Sequence, residues 1–287
     1  MRKALDYDLL AIDLDGTLLD SQHALPPQNR TALHLAHQAG FKIVLCTGRS
    51  FTETRPVLEQ IGLDLDATVT VFGALVTDVA SGRTLDRTTI PLDVAYAVTE
   101  WFQRQGFPVL WLTDPNEAGT DGYVLAGPRR HPAVDAWIER SPCVVENVEH
   151  LPAACAAPVR ISMIEESDVL EALSPRLQAE FDGRLTHNVL QAPPYRLSLI
   201  EAFAPRVNKW YGIEKLCRRW GVDPRRTAAI GDDVNDVHML RAAGLGVAVA
   251  NAQPAAQQAA DRLTDSNDAC GVARLIAELL NSEGCLA

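Results

Sequence analysis

The chain has 287 residues, 47% of them apolar and 22% charged, with 26 Lys and Arg against 37 Asp and Glu for a net charge of −11. This is globular composition, which excludes a disordered chain, and a chain this long buries roughly 75% of its unfolded surface without disulfide staples. The acidity argues against nucleic acid or an anionic membrane as partner, so an anionic substrate would need local positive charge from a metal or from placed Lys and Arg.

At the amino end Arg2 and Lys3 precede Leu9–Ile12, but Asp6, Asp8 and Asp13 interrupt any signal-peptide core. No apolar run approaches the ~20 residues of a membrane span. Leu9–Ile12 is instead a short continuous apolar run, the mark of a strand buried on both faces. Residues 26–39 follow as a helix stopped by Gly40; His34 and His37 lie three apart on it and read as a solvated face. Ile43–Leu45 and Val69–Val71 are the next two strands.

The middle differs. Val109–Leu112, Tyr123–Leu125, Val144–Val145, Val159–Ile164 and residues 184–191 are candidate strands, separated by helical patterns at 92–104, 132–140 and 167–180. Alternation such as Arg160-Ile161-Ser162-Met163 predicts a sheet with one solvated face, and therefore a separate inserted α+β domain. Its hinges are expected near Ser81-Gly82 and near Ala192-Pro193-Pro194. Beyond it, residues 209–220 form a helix stopped by Gly221, and Thr227–Ile230 a buried strand. Residues 235–243 form a helix stopped by Gly244, Val247–Val249 a last strand, and Pro254 suits the first turn of another helix. The expectation is an α/β protein. A Rossmann-like, doubly wound parallel sheet is built from residues 1–83 and 197–287, with residues 84–196 inserted. Six scattered cysteines (Cys46, Cys143, Cys155, Cys217, Cys270, Cys285) with no CxxC pair point to a reducing compartment, with the cytoplasm as the default.

The polar signatures stand directly after the expected parallel strands. Asp13-Leu14-Asp15-Gly16-Thr17 follows Leu9–Ile12, Thr47-Gly48-Arg49 follows Ile43–Cys46, and Gly231-Asp232-Asp233-Val234-Asn235-Asp236 follows Thr227–Ile230. In an open α/β sheet the carboxyl ends of the strands share one edge, and ligands bind there. Segments far apart in sequence are thereby brought to one site.

Taken with Asn208-Lys209, these motifs resemble the haloacid dehalogenase-like phosphatases. Their order, their spacing and the large mid-chain insertion are similar to the Cof-type subgroup with a type IIB cap. Ala242-Ala-Gly-Leu-Gly-Val and Asn251-Ala fit that subgroup as well. The resemblance implies a magnesium-dependent phosphatase working through a phospho-aspartate on Asp13, with a small phosphorylated metabolite as substrate. A carboxylate attacking a phosphoryl dianion faces strong repulsion, so Asp13 needs a cation between the two anions. Mg2+ suits this because it is hard and takes oxygen ligands. Asp13 and Asp232 would supply carboxylates, the family pattern adds the backbone carbonyl of Asp15, and Asp236 supports the metal directly or through water. Asp15, two positions along an extended segment, points the same way as Asp13 and suits the general acid and base. The Thr47 hydroxyl and Gly48 N–H would hold phosphoryl oxygens, and Lys209 would neutralise nucleophile and phosphoryl group. Asn235 would hydrogen-bond the carboxylates or Lys209, or else cap a helix. Arg49 is either a substrate contact or a structural ion pair.

Two departures stand out. Where the family has Asn-Gly-Ala this chain has Phe72-Gly73-Ala74, and Trp210 replaces the Gly usual after the lysine. In the insertion, Trp101, Phe102, Trp111, Tyr123 and Trp137 read as core, and Arg129-Arg130 as either a second-phosphate contact or solvated. A phosphomutase of the same superfamily is the alternative enzyme, and a binding protein that keeps the fold without catalysis is the third reading. Retention of Asp13, Asp15, Lys209 and Asp232 argues against that third reading. No feature of the sequence specifies an oligomer.

Overall fold

Four successive apolar residues, Leu9–Ile12, form β1, and all four are buried, as a strand covered on both faces requires. The structure, a computed structural model, describes residues 7–192 and 197–281. After β1 come β2 (Lys42–Cys46), β3 (Ala67–Thr70), β4 (Leu75–Asp78) and β5 (Thr84–Arg87). A second sheet is made of β6 (Val109–Leu112), β7 (Gly122–Leu125), β8 (Val145–Val148), β9 (Arg160–Glu166), β10 (Thr186–Ala192) and β11 (Leu197–Phe203). The chain then returns to the first sheet with β12 (Thr227–Gly231), β13 (Leu245–Ala248) and β14 (Arg262–Leu263).

The first sheet has the order β14-β13-β12-β1-β2-β3-β4-β5. From β14 to β3 all neighbours are parallel, and β4 turns back antiparallel on β3. The chain builds outward from β1 on one side and from β12 on the other, so the switch point falls between these two neighbours. Right-handed crossovers from a switch point carry the connecting helices to opposite faces. The helix Pro27–Ala39 packs against Gly271–Asn281, and Lys209–Trp220 against Val237–Ala242. Gly40 and Gly221 end their helices in the left-handed conformation, at φ 109° and 67°. Gly244 does not: the segment expected as one helix is a 3-10 turn at Val234–Asp236 followed by Val237–Ala242, and it closes on extended Ala243.

The chain divides into two compact units, Asp86–Val207 and the segments on either side of it. The second sheet has the order β10-β11-β9-β6-β7-β8 and is antiparallel except for β7 with β8. This corrects the expected return boundary. Residues from 197 onward do not rejoin the first sheet at once, because β11 pairs along its length with both β9 and β10 and buries Ile200 and Ala202 in the second core. The unit therefore closes at Val207, and the expected hinge at Pro193-Pro194 lies outside the described residues. The solvated face expected for Arg160-Ile161-Ser162-Met163 is also corrected. Arg160 and Ser162 are buried, and Arg160 meets the buried Glu201 at 2.7 Å, which pairs the charges that burial would otherwise leave exposed to a low dielectric. Phe102, Trp111 and Tyr123 are core with Trp101 packed against them, and Trp137 packs against a second cluster of Leu110, Val124, Val134 and Ile164. Among the described residues no helix is long and apolar enough to cross a membrane.

Candidate active site

The parallel register of β1 with β12 sets Ile12 level with Ile230, and the Asp13 N–H donates to the Ile230 carbonyl at 3.0 Å. The carboxylate-bearing ends of two strands are thereby fixed side by side. Lys209 opens the helix Lys209–Trp220, which Asn208 caps by accepting the Tyr211 N–H at 3.0 Å. Fully buried, the Lys209 ammonium donates to Asp13 Oδ1 at 2.6 Å and to Asp236 Oδ1 at 2.7 Å. The other oxygen of Asp236 accepts the N–H groups of Asp232 at 3.0 Å and Asp233 at 3.1 Å. Both Asp236 oxygens are thus engaged by protein donors, and Asp236 anchors the site. Thr17, which sequence reasoning left without a role, donates its hydroxyl to Asp232 Oδ1 at 3.1 Å.

Oxygens of Asp13, Asp232 and Asp236 lie within 4.8 Å of one another. Three carboxylates here face one ammonium. Burial pushes the Asp13 carboxyl well above the usual carboxylate range, reinforced by the charge of Asp236 and opposed by Lys209. Burial and then Asp236 raise Asp232 to about 6. Burial alone would lower the Lys209 pKa, but Asp13 and Asp236 outweigh it and the ammonium is held charged. Asp13 Oδ2 is buried and, among the described residues, has no hydrogen-bond partner. An unpaired buried carboxylate oxygen inside a cluster with excess negative charge is what a hard divalent cation complements, so the residues present fit Mg2+.

This arrangement gives a pH dependence. Without metal, Asp232 binds its proton more tightly folded than unfolded, since its folded pKa is about 6 against 3.8. Its contribution to stability is therefore complete below pH 3.8 and is lost as the pH rises through about 6. Mg2+ needs the ionised carboxylates. Thermal denaturation with Mg2+ and with chelator should show a metal-induced rise in Tm that is small near pH 5 and large near pH 8. An equal rise at both pH values would refute the assignment.

Asp15 lies in the turn Leu14–Leu18 and not on an extension of the strand. Arg49 grips it with two bonds, Nε to Oδ2 at 2.8 Å and an Nη to Oδ1 at 2.5 Å, and His23 Nδ1 stands 3.3 Å from Oδ1. Of the two roles open to Arg49, the structure contains the ion pair. His23 gave no signal in sequence, because its approach depends on a turn in which His23 itself has φ 59° and Asp20 bonds the N–H groups of Gln22 and Ala24. Thr47 is buried, and its hydroxyl accepts the Arg49 N–H at 3.2 Å. Asn235 makes no hydrogen bond to the carboxylates or to Lys209 among the described residues, and its Oδ1 is buried without a partner. Trp210 packs against the core of its own unit.

Residues 10–276 match the family model of haloacid dehalogenase-like hydrolases. The chain is 26% identical over 292 residues to the phosphatase YwpJ of Bacillus subtilis, covering 95% of this chain and 99% of that one. It is also 26% identical over 276 residues to 5-amino-6-(5-phospho-D-ribitylamino)uracil phosphatase YcsE of the same organism, covering 96% of each. In fold it is similar to a solved sugar phosphatase of HAD subclass IIB, with a TM-score of 0.75, 22% identity, and coverage of 94% of this chain and 98% of that one. With the family model spanning nearly all of its length, this chain belongs to the haloacid dehalogenase-like hydrolase family and is a phosphatase of its Cof-type subgroup.

Proposed function

We propose that the chain is a Mg2+-dependent phosphatase of small phosphorylated metabolites that works through an aspartyl-phosphate on Asp13. The observation that carries this is the buried Asp13 whose Oδ1 is bound by Lys209 while Oδ2 has no partner among the described residues. Asp13 and Asp232 would hold the metal together with the Asp15 carbonyl, and Asp236, with both oxygens engaged, would act from behind them. Mg2+ bound there would shield the nucleophile from the incoming phosphoryl dianion.

In this mechanism Asp13 attacks phosphorus and the ester oxygen departs with a proton from Asp15. Asp15 then takes a proton from the water that attacks the aspartyl phosphate, releasing phosphate and restoring Asp13. Arg49 and His23 hold Asp15 in the resting site with both its oxygens engaged, so one Arg49 bond opens as Asp15 takes up the proton that it gives to the ester oxygen. Lys209 holds Asp13 in place, and the Thr47 hydroxyl and Gly48 N–H receive phosphoryl oxygens. Asn235 would join the substrate contacts by donating from Nδ2, since a phosphoryl oxygen accepts hydrogen bonds. Residues 86–207 serve as the cap that selects the substrate, and the scattered cysteines fit a cytoplasmic enzyme.

A mutase would need a cationic cluster in the insertion for a second phosphate. Seven of its described arginines are instead engaged locally, and Arg140 stands apart from them. Arg87, Arg104, Arg130, Arg160 and Arg184 pair with carboxylates, and Arg129 and Arg176 lie over the Phe107 and Trp101 rings at 4.5 and 5.7 Å. That favours hydrolysis. The relative YcsE, by its name, acts on a phosphorylated ribitylaminouracil, so a phosphorylated polyol or sugar belongs in the test panel.

The test is phosphate release from a panel of phosphorylated sugars, polyols and cofactors. Activity should fall at least about 100-fold in excess chelator and return with Mg2+, while Ca2+, which prefers more ligands at longer distances, should restore it poorly. Full activity in chelator would sink the metal mechanism. Conversion of a hexose 1-phosphate to a 6-phosphate with little free phosphate, dependent on added bisphosphate, would make the enzyme a mutase.

A further inference from the structure

Three successive residues between β3 and β4 have left-handed backbone: Val71 at φ 50°, Phe72 at 53° and Gly73 at 101°. For a β-branched Val and a bulky Phe this is a genuine outlier, and such conformations persist only where the surroundings impose them. On one side the Val71 N–H donates to the Arg49 carbonyl at 2.9 Å and the Phe72 N–H to the Thr47 carbonyl at 3.1 Å. The buried Phe72 ring lies against Gly48, where a Cβ would stand 2.4 Å from Cζ and 2.6 Å from Cε2. On the other side a Cβ on Gly73 would stand 2.1 Å from the carbonyl oxygen of Asn208, the residue before Lys209. The strained turn is therefore wedged between the Thr47-Gly48-Arg49 backbone and the start of the lysine helix.

We propose that Phe72 is a positioning residue for phosphoryl binding that acts through Gly48. Its ring fills the space a side chain at position 48 would take and holds the Thr47–Arg49 backbone in register with Lys209. This rests on the phosphatase reading for the roles of Thr47, Gly48 and Lys209. Gly48 does not itself have positive φ, so its backbone accepts Ala and the ring is what excludes a methyl group. The two positions can therefore be tested as a pair.

The experiment measures inorganic phosphate affinity by calorimetry in Mg2+, and kcat and KM on p-nitrophenyl phosphate. The variants are Phe72→Ala, Gly48→Ala and the two together, with folding followed by thermal denaturation. Phe72→Ala should weaken phosphate binding and raise KM about tenfold while the protein stays folded. Gly48→Ala alone should lose about 30-fold or more, yet less than about threefold when added to Phe72→Ala, because the obstructing ring is gone. Phe72→Leu, which trims the ring and keeps the core apolar, carries the same cycle should the alanine variant not fold. Losses that multiply across the two sites, or a Phe72→Ala variant with unchanged phosphate affinity and KM, would overturn the inference while wild-type turnover left the phosphatase reading standing. A wild-type chain that neither binds phosphate nor turns over an ester would overturn both.

Discussion

Asp13→Asn should lower turnover by at least about 10⁴-fold while leaving the fold intact. The amide keeps the shape of the carboxylate but has no anionic oxygen to attack phosphorus, and loss of a nucleophile that acts in concert with its neighbours removes nearly all of the chemistry. Structural damage should be small. Lys209 keeps its bond to Asp236, and the substitution takes one charge out of a cluster in which three carboxylates crowd one ammonium. Steady-state hydrolysis of p-nitrophenyl phosphate, together with a melting curve, separates the two effects. If the variant kept most of its activity, the covalent mechanism would be wrong; if it failed to fold, Asp13 would be structural first.

Lys209→Met should abolish activity and also destabilise the protein, which distinguishes it from Asp13→Asn. Methionine fills a similar volume but leaves Asp13 and Asp236, both buried, without the ammonium that bridges them. Stranding buried charge in this way costs about 3–5 kcal/mol, corresponding to a fall in Tm of roughly ten degrees for a chain of this size. The loss should be largest in chelator at high pH, where the carboxylates are ionised and nothing else offsets them. Mg2+ should recover part of the stability and none of the activity. A Lys209→Met protein with unchanged Tm would mean that the Lys209 bridge does not hold the folded state together.

The family and the strand ends that carry chemistry were legible in the sequence for a physical reason. A strand buried on both faces must be a continuous apolar run, and polar motifs placed directly after such runs are forced to one edge of a parallel sheet, as Asp13 and Asp232 are. Features that depended on other segments were not legible. β11 showed no boundary signal because a strand's sheet is chosen by its partners, here β9 and β10, and the adjacent Pro193-Pro194 suggested a break. The polar residues of β9 read as solvated, whereas the ion pair of Arg160 with Glu201 allows them to be buried. Asp232 and Asp236 are equivalent as letters in one motif. Only the fold gives Asp236 to Lys209 and two backbone N–H groups and leaves Asp13 with an open oxygen. Phe72 read as a lost amide, and its ring against Gly48 could be seen only once β2 and β3 were paired. The sequence by itself determined which strand-end carboxylates reach the site, because local pattern fixes each strand and the polar residues at its carboxyl end. Which atoms remain open for chemistry was decided by tertiary structure, because hydrogen bonds and steric contacts between distant segments have no local signature.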